Sequence, residues 1–214
     1  MTAYEVTLKV LRQEKACVEG YNKVVCSLQG QPFTNKHRDM KSYIRFAYKE
    51  PISLSFILEN NGLNDALWAM HCIKDAYRDI SLFSVWCARQ VQHLMRDSRS
   101  TNALDVVERF ANGKATKEEL EAASAAAWAA WAAGDAIAAS VDASVDANAA
   151  RAANAALAVA CAANAAIAAN AAWNAARAVS VDASVDACAA RAAQTEMFKL
   201  MCDGKAPWQV SGLD

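Results

Sequence analysis

An all-α fold is predicted by three features of the sequence. Alanine, which has the highest helix propensity, occupies 39 of the 72 positions from 122 to 193. Apolar residues recur near helical spacing through much of the first 121 residues. Seven glycines and three prolines in 214 residues are too few for the turns of an all-β domain. We therefore expect an amino-terminal multi-helix globular part followed by closely packed alanine-rich helices.

The predicted organisation has three parts that form one integrated fold. An amino-terminal helical region is expected over residues 1–115, an alanine-rich helical region over 116–202 and a tail over 203–214. Residues 140–153 recur at 180–193 with one change in fourteen, an offset of 40 residues. This period suits a helix pair and favours a repeat-like arrangement, although two copies do not establish a solenoid.

Two helices are predicted in the first fifty residues. Apolar positions near helical spacing predict the first over about 4–28, before Gly30. Thr34 can cap the second, which should end near Glu50 because Pro51 disfavours helical geometry at the residue before it.

The second predicted helix carries a row of cations. Four basic residues fall at i, i+3, i+7 and i+11 and would project from one side: Arg38, Lys41, Arg45 and Lys49. They could engage phosphates, with Tyr43 and Tyr48 nearby for stacking, or could form an ordinary solvated face. Tyr43, Ile44 and Phe46 would face the core.

Helical patterns and breakers predict the elements that follow. Four further helices are expected, over 52–58, from an Asn64 cap to about Tyr77, over 81–96 and from Thr101 to Gly113. A break falls at Asn60-Asn61-Gly62. Thr116 and Glu119 form a capping box at the start of the alanine-rich region.

One face of the helix predicted over 81–96 groups side chains suited to recognition. Trp86, Arg89 and His93 line up at i, i+3 and i+7, with Gln90 beside them. An indole, a guanidinium and an imidazole together can stack on and hydrogen-bond to a planar or anionic ligand. The alternative is a second packing face with satisfied polar tips.

The alanine-rich region offers sparse larger side chains. A pocket between its helices could be lined by Trp128, Trp131, Arg151, Trp173, Arg177 and Arg191. The pairs Asp142/Asp146 and Asp182/Asp186 have the i, i+4 spacing that can hold a cation, or they serve as helix caps and partners of arginines on neighbouring helices. No catalytic residue, metal site or cofactor is predicted.

Compartment is suggested by the cysteines and by the lack of export signals. Seven cysteines without a Cys-x-x-Cys pair predict reduced, mostly buried thiols rather than a disulfide framework or a zinc site. No signal-peptide pattern occurs at the amino terminus, and Asn and Arg recur through the alanine tract, which argues against a membrane span. We expect a cytoplasmic protein, in the host cytoplasm if it is phage-encoded.

Three sequence blocks carry a resemblance to a known family. The blocks are NGLNDALWAMHCI, LFSVWCARQVQHLM and ALDVVERFANGKATKEEL, the last running into AAWAAWAA. Over about residues 52–202 the chain resembles the alanine-rich putative immunity-protein family, whose members occur beside bacterial toxin systems and as accessory proteins of tailed phages. The resemblance implies an all-helical fold and neutralisation of a toxin or defence protein. It implies no catalytic residues.

The leading functional expectation is a non-enzymatic interaction or inhibitor protein, encoded by a phage as an accessory or counter-defence factor. It would bind a host or toxin protein through the Trp86/Arg89/His93 face or the basic amino-terminal helix. Two alternatives stay open: sequestration of an anionic, nucleotide-like small molecule, and a structural module that self-associates into a homo-oligomer. Neither a membrane nor a nucleic acid is the expected partner.

Overall fold

The computed structural model describes residues 4–90, 92–95, 97–138 and 187–210. The described part is 69% helix and 3% strand, which confirms the all-α prediction. Residues 140–153 lie outside the described residues, as does the start of the second box at 180–193. The 40-residue repeat and the three-part division of the chain therefore stay predictions.

The first predicted helix is interrupted twice. A two-residue strand, β1 (Glu5–Val6), precedes α1 (Leu8–Gln13), and α2 (Val18–Leu28) follows after a turn. The prediction of one helix over 4–28 is wrong because Thr7 caps α1 through its side chain, and Lys15 has a φ of 61°, outside the helical range.

The second predicted helix is much shorter than expected. Helix α3 (Asn35–Arg38) starts at Thr34, as predicted, and the Thr34 N–H donates to His37 Nδ1 at 3.2 Å. Residues 40–51 are not helical, so the prediction of a helix to Glu50 is wrong. Beyond this stretch, β2 (Ile52–Ser53) pairs antiparallel with β1, Val6 opposite Ile52.

Two short helices follow the strand and meet at a glycine. Helices α4 (Leu54–Asn61) and α5 (Leu63–Met70) are joined by Gly62, which has a φ of 93°. The predicted break is therefore confirmed, and glycine suits it because other residues rarely adopt this φ. Asn64 lies inside α5 instead of capping it, and α5 ends at Met70, well before Tyr77.

The next helices show which end signals are reliable. Helix α6 (Tyr77–Arg89) lies between short 3₁₀ segments at Lys74–Ala76 and Gln92–Leu94, so the prediction of one helix over 81–96 is wrong. Helix α7 (Ser98–Ala111) is capped by Asp97, not Thr101, and Gly113 follows it with a φ of 68°. The capping box is confirmed: Thr116 and Glu119 exchange hydrogen bonds at 2.8 and 3.2 Å where α8 (Lys117–Ala138) begins.

The core gathers residues from both ends of the chain. Helix α8 packs on α7 and buries a helical stripe of Leu120, Ala123, Ala127 and Ala130. After the residues outside the described part, α9 (Ala187–Cys202) packs on α4 and α6, and α10 (Pro207–Val210) packs on α6. Phe198 of α9 meets Phe83 of α6 edge to face, with ring centroids 5.8 Å apart.

A hydrogen-bond network joins the chain near both termini. The Tyr4 hydroxyl donates to the Asp79 carboxylate, and the Gln209 side-chain amide donates to both groups at 3.0 and 2.9 Å. Burial, together with the neighbouring Asp79 carboxylate, raises the pKa of Tyr4 well above its ordinary value. The network therefore fixes β1 and α10 against α6.

Candidate functional site

Residues 36–49, termed the basic segment, are rich in exposed positive charge. The segment contains five Lys or Arg residues and a single acidic residue, Asp39. Arg38 pairs with Glu19 at 3.3 Å, and both side chains are more than half exposed. The other four cations are exposed and form no ion pair with any described residue: Lys36, Lys41, Arg45 and Lys49.

The carboxyl-terminal half of the basic segment alternates between inside and outside. Ile44, Phe46 and Tyr48 are half-buried against the core, whereas Arg45, Ala47 and Lys49 are exposed. This alternation is typical of extended chain, in which alternate residues share a side and rise about 3.3 Å each, so we infer a separation of about 13 Å between Arg45 and Lys49. The prediction that Arg38, Lys41, Arg45 and Lys49 share one helical face is wrong, because residues 40–51 are not helical.

Asn22 of α2 holds the basic segment on the core. This fully buried side chain donates to the Ser42 carbonyl at 3.2 Å and accepts from the Ile44 N–H at 2.8 Å. The Tyr43 hydroxyl donates to the Ala16 carbonyl at 2.5 Å. Backbone groups from 45 to 50 make no hydrogen bond to another described residue. Sequence reasoning missed Asn22, whose one signal is a carboxamide among the apolar residues of α2.

The predicted recognition residues Trp86, Arg89, Gln90 and His93 are termed the Trp86 cluster. Arg89 of this cluster forms ion pairs within the protein. The Arg89 guanidinium donates to Asp105 at 2.8 Å and to Glu108 at 2.6 Å, both on α7. Burial alone would lower the pKa of Arg89, but the hydrogen bonds to the Glu108 and Asp105 carboxylates outweigh it and raise the pKa. Arg89 therefore clamps the end of α6 to α7.

The other members of the Trp86 cluster do not share one helical face. Trp86 is half-buried, and its ring stacks on that of Phe83 with centroids 6.2 Å apart. Gln90 is exposed, and its side-chain amide donates to the Trp86 carbonyl. His93 is exposed in the 3₁₀ segment beyond α6. The predicted i, i+3, i+7 alignment of Trp86, Arg89 and His93 is wrong because α6 ends at Arg89. Their role in recognition stays a prediction.

The pocket predicted in the alanine-rich region lies largely outside the described residues. Trp128 on α8 is 52% exposed, and its place in the predicted pocket stays a prediction. Arg191 on α9 donates to Asn64 Oδ1 at 2.5 Å, and burial lowers its pKa. Trp131 lies on α8, but its side chain is outside the described part of the structure. The remaining predicted residues also lie outside the described residues: Arg151, Trp173, Arg177 and the pairs Asp142/Asp146 and Asp182/Asp186.

The five cysteines whose side chains the structure describes are free thiols. Cys26, Cys87 and Cys202 are buried, Cys72 is half-buried and Cys17 is exposed. Burial raises the pKa of Cys72 and that of Cys202 to about 12, so both thiols are protonated at neutral pH. In the described part of the chain, no three His, Cys, Asp or Glu side chains are grouped closely enough to hold a metal ion.

Comparison with known proteins leaves the family resemblance a prediction. No family model, curated protein sequence or solved structure matches this chain. None of the described helices combines the length and the apolar character needed to span a membrane. The charges and contacts of the described residues are therefore what supports a function.

Proposed function

We propose that this protein is a non-enzymatic binding protein that recognises an acidic surface of another protein through the basic segment, residues 36–49. The observation that carries this proposal is the set of four exposed cations without an ion-pair partner among the described residues. Most other described arginines are neutralised by carboxylates: Arg78, Arg89, Arg99 and Arg109. Exposed cations without an ion-pair partner also occur elsewhere, for example at Lys9, Lys15 and Lys114, but four of them lie within the fourteen residues of the basic segment.

Such a charge distribution favours an acidic partner for a kinetic reason. The whole chain has a formal net charge of −1, so the positive field is local to the basic segment. Complementary charge accelerates encounter and orients the partner, while like charge elsewhere on the surface disfavours other orientations. A compact acidic patch on a protein therefore fits the basic segment better than a long polyanion. A long polyanion would extend beyond the segment and be repelled by the acidic residues elsewhere on this protein.

The aromatic rings beside the cations favour a protein over a single-stranded nucleic acid. Nucleic-acid grooves of this kind stack bases on available aromatic faces. Here Phe46 and Tyr48 stack on each other, with centroids 5.7 Å apart, and both pack on the core. The backbone from 45 to 50, which makes no hydrogen bond to another described residue, instead offers donors and acceptors to which a partner strand can add.

The family resemblance suggests the biological class of the partner. The resemblance to the alanine-rich immunity-protein family supports a toxin or a host defence protein, bound by a phage accessory or counter-defence factor. Inhibition would then follow from occupation of the partner's acidic surface, with no chemical step on either protein.

A charge-reversal experiment tests the proposal. The variant Arg45→Glu/Lys49→Glu is compared with Lys9→Glu/Lys114→Glu, which makes the same charge change at exposed residues outside the basic segment. Each immobilised protein is used to capture partners from nuclease-treated lysate of the expressing cells. The captured protein is then purified and titrated. We expect the first variant to bind at least about tenfold more weakly than wild type, since interfacial charge pairs typically contribute over 1 kcal/mol each, and the control to bind within about twofold.

A site-specific cross-link identifies the contact independently of charge. A photoreactive amino acid at exposed Ala47 should cross-link to the purified partner, whereas the same group at exposed Asn102 on α7 should not. Equal weakening by the two charge-reversal variants would contradict the proposal. So would a partner that is captured only from lysate without nuclease treatment.

A further inference from the structure

A second feature is a cavity of about 440 Å³ that is partly open to solvent. It lies among α1, α2, α4 and α5. Its lining combines apolar and polar side chains, including Tyr21, Ile57, Asn61, Asp65, Trp68 and Ala69. Pockets that bind small organic molecules typically measure about 300–1,000 Å³, whereas one water in the liquid occupies about 30 Å³. The cavity is therefore large enough for a ligand.

Two polar groups of the lining are buried without a hydrogen-bond partner in the described part of the protein. Tyr21 is 1% exposed, and its hydroxyl has no partner. The side-chain oxygen of Asn61 is also buried and unpartnered. Buried polar groups are usually satisfied, because leaving one unpaired is unfavourable. These two atoms are consistent with a ligand that supplies the missing hydrogen bonds.

The Asn61 side chain has a fixed orientation. Its Nδ2 donates to the Gly20 carbonyl at 2.9 Å and to Asp65 Oδ2 at 2.7 Å. Both donor hydrogens are thereby used, and Oδ1 is available only as an acceptor. A Cβ added at Gly20 would lie 2.9 Å from Asp65 Oδ2, so glycine permits the close approach of α2 to this carboxylate. The Asn61 oxygen and the Asp65 carboxylate are held as a pair of acceptors.

The charge of the lining selects the ligand class. Asp65 is the acidic residue of the lining, and no Lys or Arg of the described chain belongs to it. The aromatic face of Trp68 can attract a cation, whereas the Tyr21 ring already has the Arg12 guanidinium 5.8 Å from its centroid. We propose that this cavity binds a small organic cation, an ammonium or amidinium group on an apolar or aromatic body. The cationic group donates to Asn61 Oδ1 and Asp65, and the body packs on Trp68 and Ile57.

Three indole compounds of similar size test the ligand class: tryptamine as the cation, tryptophol as the neutral analogue and indole-3-acetate as the anion. Isothermal titration of the full chain should show saturable binding of tryptamine, at least about tenfold tighter than either analogue. Asp65→Asn should weaken tryptamine binding about tenfold and tryptophol binding less than about twofold. Asp75→Asn, at an exposed carboxylate outside the lining, is the matched control and should leave both affinities unchanged.

Two further variants locate the site. Tyr21→Phe removes the unpartnered hydroxyl and should weaken tryptamine binding several-fold, whereas Ala69→Leu should fill the cavity and abolish binding. The Arg45→Glu/Lys49→Glu variant should bind tryptamine like wild type, which separates this proposal from the proposed function. If Ala69→Leu does not fold, the site is tested by the weaker tryptamine binding expected of Tyr21→Phe and Asp65→Asn. Absence of saturable tryptamine binding by the folded wild type would overturn the proposal. Equal weakening of all three compounds by Asp65→Asn, or undiminished binding by folded Ala69→Leu, would do the same.

Discussion

Replacing Asn22 with alanine is expected to lower the free energy of unfolding by about 2–4 kcal/mol, because it removes two hydrogen bonds made by a fully buried side chain. The Ser42 carbonyl and the Ile44 N–H lose the partner that holds the start of the extended stretch on α2. We also expect the affinity for the acidic partner to fall, since Arg45 and Lys49 follow directly in the chain.

Urea unfolding followed by circular dichroism measures this loss of stability. Ser27→Ala on the same helix is the matched control, because the Ser27 hydroxyl only donates to the Lys23 carbonyl one turn earlier. The control should change the free energy of unfolding by less than about 0.5 kcal/mol. A change that small for Asn22→Ala would show that Asn22 does not anchor the basic segment.

Replacing Phe198 with alanine is expected to lower the free energy of unfolding by about 3–5 kcal/mol, the usual cost of deleting a buried aromatic ring. Phe198 is fully buried on α9 and meets Phe83 of α6 edge to face. Because α9 follows the residues outside the described part, the change tests whether this helix belongs to the same core as α4 and α6.

A graded pair of variants at the same position supports the interpretation. Phe198→Leu keeps most of the apolar volume and should lose less than about half as much stability as Phe198→Ala. Glu196→Ala, at an exposed position of the same helix, should be nearly neutral. If Phe198→Ala were as mild as Glu196→Ala in urea unfolding, α9 would not be part of the cooperative core.

The helix boundaries that sequence predicted correctly depend on local chemistry. The Thr116/Glu119 capping box involves residues three apart, and Gly62 and Gly113 adopt positive φ values at helix ends. These signals require no knowledge of the rest of the fold. Lys15 gives no such signal: it takes the left-handed position at the end of α1, where the Ala16 N–H donates to the Leu11 carbonyl and the Lys15 N–H to the Arg12 carbonyl. Glycine is the usual residue there, so a lysine does not mark the end of the helix in the sequence.

The basic segment shows how one pattern can fit two structures. The spacing of Arg38, Lys41, Arg45 and Lys49 matches a helical face, and that match predicted a helix to Glu50. Residues 44–49 also alternate between apolar and polar or small side chains, the period-two pattern typical of extended chain. The extended form is stabilised by Asn22, twenty residues or more away in sequence, whose hydrogen bonds no local pattern reveals.

The candidate sites depend even more on distant contacts. Arg89 was predicted as a recognition residue because its carboxylate partners, Asp105 and Glu108, lie on the next helix. The cavity exists because α1 and α2 meet α4 and α5, and its polar residues, Tyr21, Asn61 and Asp65, are spread over more than forty positions. Composition predicted the helical class, whereas side-chain pairing between helices decides which cations remain available to a partner.

The most direct test of the account measures the backbone conformation of residues 43–49 by ¹³Cα and ¹³Cβ chemical shifts. An extended chain separates the Cα atoms of Arg45 and Lys49 by about 13 Å, whereas a helix brings them to about 6 Å. We predict shifts typical of extended backbone across Ile44 to Lys49 in wild type. Helical shifts through these residues would contradict the extended arrangement of the cations, and with it the surface proposed to bind an acidic protein.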